Sequence, residues 1–299
     1  MKRSRHELGN KPILRTLSEH ETDPVRVPEA NKPWAQFQPQ RARANGSNDS
    51  PRSICVFTPT TFEFNLILRL LEPREVIAHD GLKRGEGKRG ANFVTVLQTQ
   101  MRARQLDTIL NVFQTARLQF DLALVCGFAA ALIPALRIGE IVVYERCTSA
   151  SNPAREIAAA PESLCAASSL IHRSGISYFG CVGLCVDYVL TSPDEKAILG
   201  RRFNAQAADM ESLQILETMQ ALFVPTLAIR SVSDEVDQSL PELNQVIDEH
   251  GELRASGLWR LCTRSPIQMV RLARGARRAG ESLRRVMAHL LASDFRPTA

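Results

Sequence analysis

The stretch Phe203–Asp237, FNAQAADMESLQILETMQALFVPTLAIRSVSDEVD, constrains the fold of this chain more than any other. Its apolar spacing gives a short strand-like segment and then a helix beginning near Met210. Pro225 breaks the run, and Thr226–Val232 follows as a buried strand. That strand ends in the polar cluster Ser231, Ser233 and Asp234, so two carboxylates, Glu211 and Asp234, stand at the ends of apolar elements. In open α/β sheets ligands bind beyond the carboxyl ends of strands, where loops bring polar groups together, and chemistry is expected here.

The rest of the chain repeats that alternation. Residues 1–50 are polar, rich in Pro, Asn and Gln, and without sustained period, which predicts a disordered basic/polar extension. Ile54–Phe57 is a short apolar strand. It is stopped by Thr58-Pro59-Thr60-Thr61, whose hydroxyls can cap a helix running through Glu63, Leu66, Leu70 and Leu71. Gly81–Gly90, rich in Gly and Lys, reads as a loop, Phe93–Leu97 as a strand and Arg102–Leu118 as an amphipathic helix. Leu122–Cys126 is a buried strand entering a small-residue turn, Gly127-Phe128-Ala129-Ala130-Ala131, and Glu140–Glu145 is a further strand. Gly175–Leu190 is a long β-like run. Ser192-Pro193-Asp194-Glu195 then opens a helix, with Ser at the N-cap and Pro at the first helical position. The expected fold is α/β: a single three-layer domain over residues 51–242 with a mixed central β-sheet flanked by helices, and a helical extension over 243–299.

Composition excludes several classes. No run of about 18 apolar residues predicts a transmembrane helix, and the basic start lacks the apolar core of a secretory signal, so a cytoplasmic protein is expected. The seven cysteines (55, 126, 147, 165, 181, 185, 262) are odd in number and lie partly in strand-like runs, which reads as buried thiols. They show no metal-ligand spacing, so no metal and no cofactor are expected. From Leu253 onward ten arginines face two acids, Glu281 and Asp294, while Met269, Leu272, Ala276, Ala279, Leu283, Val286 and Leu290 recur three and four apart. This is an amphipathic helix or helix pair with a guanidinium-rich face. It is either a packed helix with a solvated basic side or a contact for anionic lipid headgroups. Apart from Trp259 and Phe295, no Phe, Tyr or Trp stands among these arginines to stack on bases, so nucleic acid is not expected as a partner.

Asp209-Met210-Glu211-Ser212, followed by Ile229-Arg230-Ser231-Val232-Ser233-Asp234, resembles the nucleoside phosphorylase/nucleosidase superfamily, which carries a D-M-E block and a later I-R-x-x-S-D block. DLALVCGFAAALIPALRIGEIVV resembles the same family's strand and L-x-P-x-L-x-x-G-D-x-V region, with Glu140 at the D position. It departs where the family places small residues against the ligand, since Phe128, Ala130 and Ala131 stand there. The resemblance implies cleavage of an N-glycosidic bond, a small-molecule nucleoside partner, and a homodimer. Asp234 would protonate purine N7, or else cap the turn after its strand. Glu211 would accept from the ribose hydroxyls, with Met210 against the sugar, or else complement a helix dipole. Glu63 would orient a water. The base would meet Ser233 and either Tyr188 or Val189, and Gly127, Phe128 and Ala129 would form the turn beside the ligand. The first turn carries no arginine, which favours hydrolysis over phosphorolysis, although Thr hydroxyls and a distant arginine leave phosphate open.

The tail form P-x-x-x-x-x-L-x-R-x-A-R-R-A, from Pro266, looks like the hopanoid-associated phosphorylase branch. That resemblance implies a lipid-linked substrate such as adenosylhopane and peripheral contact with the inner face of a membrane. The competing expectation is a non-catalytic nucleoside- or membrane-binding protein on the same scaffold.

Overall fold

A computed structural model describes residues 51–79, 82–116, 118–248 and 254–293. The extension expected over residues 1–50 lies outside the described residues.

The apolar run after Ser53 forms β1 (Ser53–Thr58), and Thr60 caps α1 (Thr61–Leu68). The Thr60 hydroxyl accepts from the Glu63 N–H, while the Glu63 carboxylate accepts from the Thr60 N–H. This reciprocal box satisfies two free donors and stabilises a helix start by about 1 kcal/mol. Strands β2 (Arg74–His79), β3 (Leu82–Arg89) and β4 (Asn92–Gln98) make an antiparallel meander, and α2 (Leu106–Ala116) leads into β5 (Leu122–Ala131). Then come β6 (Ile141–Ser149), β7 (Glu156–Ala158), α3 (Pro161–Arg173), β8 (Tyr178–Cys185) and α4 (Pro193–Phe203). The organising stretch supplies β9 (Ala207–Asp209), α5 (Ser212–Ala221) and β10 (Thr226–Asp234). Helices α6 (Ala255–Arg264) and α7 (Pro266–Ala292) follow.

The sheet is mixed. Strand β5 lies parallel to both β1 and β10, and β1 is parallel to β4. Strand β10 pairs antiparallel with β6, β6 parallel with β8, β8 parallel with β9, and β9 antiparallel with β5. These five strands therefore close on themselves, and β1, β4, β3 and β2 extend as a wing from β5. Side-chain alternation along β1 makes the layers. Ile54 and Val56 pack with Phe64 and Ile67 of α1, Ile171 of α3, and Leu283, Val286, Leu290 and Leu291 of α7. Cys55 and Phe57 pack on the other side with Ile109 and Phe113 of α2 and Leu213, Ile215, Leu216 and Met219 of α5. The α/β class and the mixed sheet are as expected, and the second half of α7 is buried in the same core as β1.

Three expectations change. Gly81–Gly90 is not a loop, because β3 occupies Leu82–Arg89. Its glycines serve close packing. A Cβ on Gly85 would stand 2.6 Å from Leu68 Cδ1, and one on Gly87 2.3 Å from the Pro73 carbonyl oxygen and 2.8 Å from Leu71 Cβ. Gly127, Phe128 and Ala129 do not form a turn either. They lie inside β5, because β10 pairs with it as far as Ala130 and β9 pairs with Ala130 and Ala131, so ladder bonds carry the strand onward. The helix expected from Arg102 starts at Leu106, after a 3₁₀ turn, Met101–Ala103. Ser192 does precede α4, but its side chain makes no capping hydrogen bond.

We predict that Gly87→Ala lowers the urea midpoint by an amount equivalent to about 1–3 kcal/mol, the usual effect of forcing atoms into a packed site. A midpoint equal to wild type would show that the Pro73 turn can move away freely.

Candidate active site

The described chain brings Glu63, Phe128, Ala129, Tyr188, Val189, Met210, Glu211, Ser233 and Asp234 to the wall of one cavity of about 180 Å³. Gly127 is not on its wall; it sits behind, where any Cβ would fall 2.4 Å from Arg230 Nη1 and 2.7 Å from Glu63 Oε1. Glycine is required there by that close approach.

Each acid is presented by a different element. Asp234 ends β10, just after a register shift between Val232 and Asp234 that re-aims the strand end. Its Oδ2 accepts from Lys196 Nζ at 2.5 Å and its Oδ1 from Ser233 Oγ at 2.7 Å. The ammonium is fully buried, and its other donors reach the carbonyls of Glu235 and Gln238, both at 3.0 Å. Asp234 is thus one half of a buried ion pair rather than a carboxyl isolated in an apolar wall.

Glu211 stands at the start of α5, where Asp209 Oδ1 accepts from the N–H groups of Glu211 and Ser212, both at 2.8 Å. Arg230, on β10 and without exposure, lies beneath. Its Nε is 3.3 Å from Asp209 Oδ2 and its Nη2 3.6 Å from Glu211 Oε2, and both nitrogens donate to Ser212 Oγ. Burial alone would favour a neutral guanidine. Asp209 and Glu211 more than offset it and hold Arg230 firmly charged. Glu211 itself is pushed up to about 8, chiefly by burial, with Asp209 adding to the rise and Arg230 opposing it. The Arg102 N–H donates to Glu211 Oε1 at 3.0 Å. Gln100, Arg102 and Ala103 all have positive φ (59°, 63° and 51°), so this turn is a strained backbone that aims a donor at the cavity.

Glu63, from α1, has Oε2 engaged by the Thr60 N–H and hydroxyl (3.1 and 2.6 Å) and Oε1 by the Phe128 N–H at 2.8 Å. Burial raises its pKa, while the Thr60 hydroxyl and Arg230 pull the other way. Phe128 also packs its ring on Phe62, 5.9 Å between centroids, and forms an apolar wall.

On the remaining side the Tyr188 hydroxyl donates to Glu195 Oε1 at 2.6 Å, which fixes its ring. The N–H of Val189 donates to Asn244 Oδ1 and its carbonyl accepts from Asn244 Nδ2, both at 2.8 Å, so the polar backbone edge of Val189 is already paired.

With this geometry, family comparison is decisive. Residues 53–260, more than half of the chain, match the phosphorylase superfamily. The chain belongs to the phosphorylase superfamily. Its fold is similar to that of 5′-methylthioadenosine/S-adenosylhomocysteine nucleosidase from Helicobacter pylori, with a TM-score of 0.62 and 16% identity over 79% of this chain and 95% of that one. It is also similar to futalosine hydrolase from Helicobacter pylori (TM-score 0.60, 17% identity, 79% of this chain and 97% of that one). S-adenosylhomocysteine nucleosidase from Streptococcus pyogenes gives a TM-score of 0.64 at 13% identity, over 81% of this chain and 97% of that one. A search of curated proteins gives no match.

In this superfamily member the sequence reading missed Lys196, Arg230 as an organiser, Arg102 and Asn244. Lys196 carried a signal. It falls with Leu199, Gly200 and Phe203 on one face of α4, the face that turns inward, and a lysine on such a face calls for a buried acid. Asn244 carried none, because its partner is 55 residues away.

Glu211 generates a pH prediction. The folded protein holds this proton more tightly than the unfolded chain, whose glutamate has the ordinary value of 4.5. The group's stabilisation is therefore complete below about 4.5 and is lost as pH rises through about 8. We predict that urea stability falls over this window and that Glu211→Gln flattens the decline. Parallel curves for the two proteins would exclude Glu211 as its source.

Proposed function

We propose that this superfamily member is a purine nucleosidase that hydrolyses the N-glycosidic bond of a 5′-modified adenosine. The observation that carries this reading is the convergence of Asp234, Glu211 and Glu63, from β10, the start of α5 and α1, on one cavity whose remaining wall is mainly apolar. Such a bond breaks through a sugar centre that becomes cationic, so the site needs an acid for the base, acceptors for the sugar and a placed water. Glu211 accepts from the vicinal ribose hydroxyls. Asp234 delivers a proton to N7 as the C1′–N9 bond breaks and its electrons pass to the base, and the Lys196 ammonium hydrogen-bonded to Asp234 supplies that proton. Glu63 orients a water whose oxygen bonds to C1′ and whose proton it accepts.

Hydrolysis is favoured over phosphorolysis by charge. Four acidic side chains (Glu63, Asp209, Glu211, Asp234) line the cavity against two cations behind its wall, Arg230 and Lys196, and no Lys or Arg lines it among the described residues. A phosphate dianion would enter against that field, whereas a neutral nucleoside would not. An apolar 5′ group is supported by Met101, Phe128 and Leu240 on the same wall. Adenosylhopane is the furthest extension of this reading. Peripheral contact with an anionic membrane is supported by exposed Trp259, Ile267 and Val270 beside the arginines of α6 and α7. A homodimer belongs to the proposal through the family alone. The second reading, a binding protein on this scaffold, is favoured by one observation, the pairing of the Val189 edge with Asn244.

We predict adenine release from methylthioadenosine or a 5′-alkyl adenosine at a rate indifferent to added phosphate. Asp234→Asn, which keeps an acceptor for Lys196, should lower turnover about 10²–10⁴-fold with circular dichroism unchanged. A strict phosphate requirement would make the protein a phosphorylase. No release by the folded wild type would favour the binding reading.

A further inference from the structure

A second concavity, of about 410 Å³, lies outside the nucleoside cavity and shares none of its lining residues. One wall is the outer arc of α7, which presents Arg271, Arg274 and Arg278. The other is the segment Glu235–Gln238, which follows β10, together with the turn at Ile138. The spacing of the arginines, three and then four residues, sets them on one face over two turns, spanning ~10 Å. No carboxylate lies within ion-pair distance of any of the three among the described residues.

The acids nearby are otherwise engaged or outnumbered. Glu235 binds Arg137 Nη1 through Oε2 at 2.9 Å and the Ile138 N–H through Oε1 at 3.3 Å. Asp237 is left as the one competing carboxylate on this wall.

The groove is also built. Gly139, at φ +90°, lets the Arg278 side chain cross the turn, since a Cβ there would meet Arg278 Cγ at 3.1 Å and Nε at 3.3 Å. Gly275 lets α7 approach the β10 end, since its Cβ would stand 2.2 Å from the Ser233 carbonyl oxygen. A guanidinium is a bidentate donor suited to phosphate oxygens, and three in a row suit an anion with two phosphate-type charges.

The geometry points to this groove as a binding site for a phosphate-bearing anion of diphosphate size, supplied either by a soluble phosphate ester or by a lipid headgroup. Its position gives it a route to the nucleoside cavity. The Glu235 and Gln238 carbonyls that hold Lys196 Nζ, and through it Asp234, belong to the segment that forms the groove wall. The inference does not depend on the proposed nucleosidase activity.

The test is titration calorimetry of the full chain with pyrophosphate at low ionic strength, alongside flotation with phosphatidylcholine vesicles with and without phosphatidic acid. Arg271→Gln/Arg274→Gln should weaken binding at least tenfold, Asp237→Asn should tighten it, and Arg69→Gln/Arg173→Gln, exposed arginines outside α6 and α7, should leave it unchanged. Pyrophosphate binding with this pattern supports the site with a soluble ligand. Binding only to phosphatidic acid vesicles, with the same pattern, supports it with a headgroup. Absence of both kinds of binding in wild type, or equal weakening by the two double variants, overturns the site and leaves only general attraction to a basic protein surface.

Discussion

The Arg230 guanidinium lets three acids share a small buried volume. A lone ion moved out of water costs several kcal/mol even after relaxation, and Asp209, Glu211 and Glu63 would each incur that cost separately. Arg230 reaches two of them directly and the third across Gly127, which has no side chain to intervene. The same contacts tie β10 to the β9–α5 junction and to α1, so the electrostatics of the site and the packing of the closed strands depend on one residue. One cation cannot neutralise three carboxylates. Burial raises the pKa of Glu211 and Glu63 against the pull of Arg230, and at Glu211, where Asp209 adds to the rise, the proton is retained to about 8.

Asp234 follows a different rule. Its cation, Lys196, comes from α4 and is gripped by two backbone carbonyls as well as by the carboxylate, so all three ammonium donors are satisfied. Two separate charge groups meet at one cavity, one with an excess of acids over its single cation and one paired. Under the proposed reaction this asymmetry divides the work: the negative side faces the sugar, where cationic character grows, and the paired side faces the base, which must take a proton.

How much of this was legible follows from the range of each signal. Apolar runs such as Ile54–Phe57, Leu122–Cys126 and Thr226–Val232 announce buried strands, because a strand covered on both faces leaves no room for polar residues. The blocks around Glu211 and Asp234 could be placed because each lies at an element boundary. Strand β3 was hidden by its glycines, which normally mark loops and here make room for Leu68, Leu71 and Pro73. The continuation of β5 through Gly127 was hidden because its pairing partners in β9 and β10 lie 76 to 104 residues later. Pairings of that range, like the one between Asn244 and Val189, leave no local periodicity to read.

Charge then separates the inside of the site from its surroundings. Inside, carboxylates line the cavity and their cations lie behind the wall; outside, the arginines of α7 face a groove with few acids to meet them. A dianion close to the carboxylates is opposed by roughly 4 kcal/mol per unit-charge pair at 4 Å in a partly screened interior, while the same anion in the outer groove is attracted. Under the two proposals, phosphate binding belongs to the surface and neutral-ligand chemistry to the cavity. The segment between them, Glu235–Gln238, belongs to both, since its side chains face the groove and its carbonyls hold Lys196. An anion that drew this segment toward α7 would act on Asp234 through the lysine without entering the nucleoside cavity.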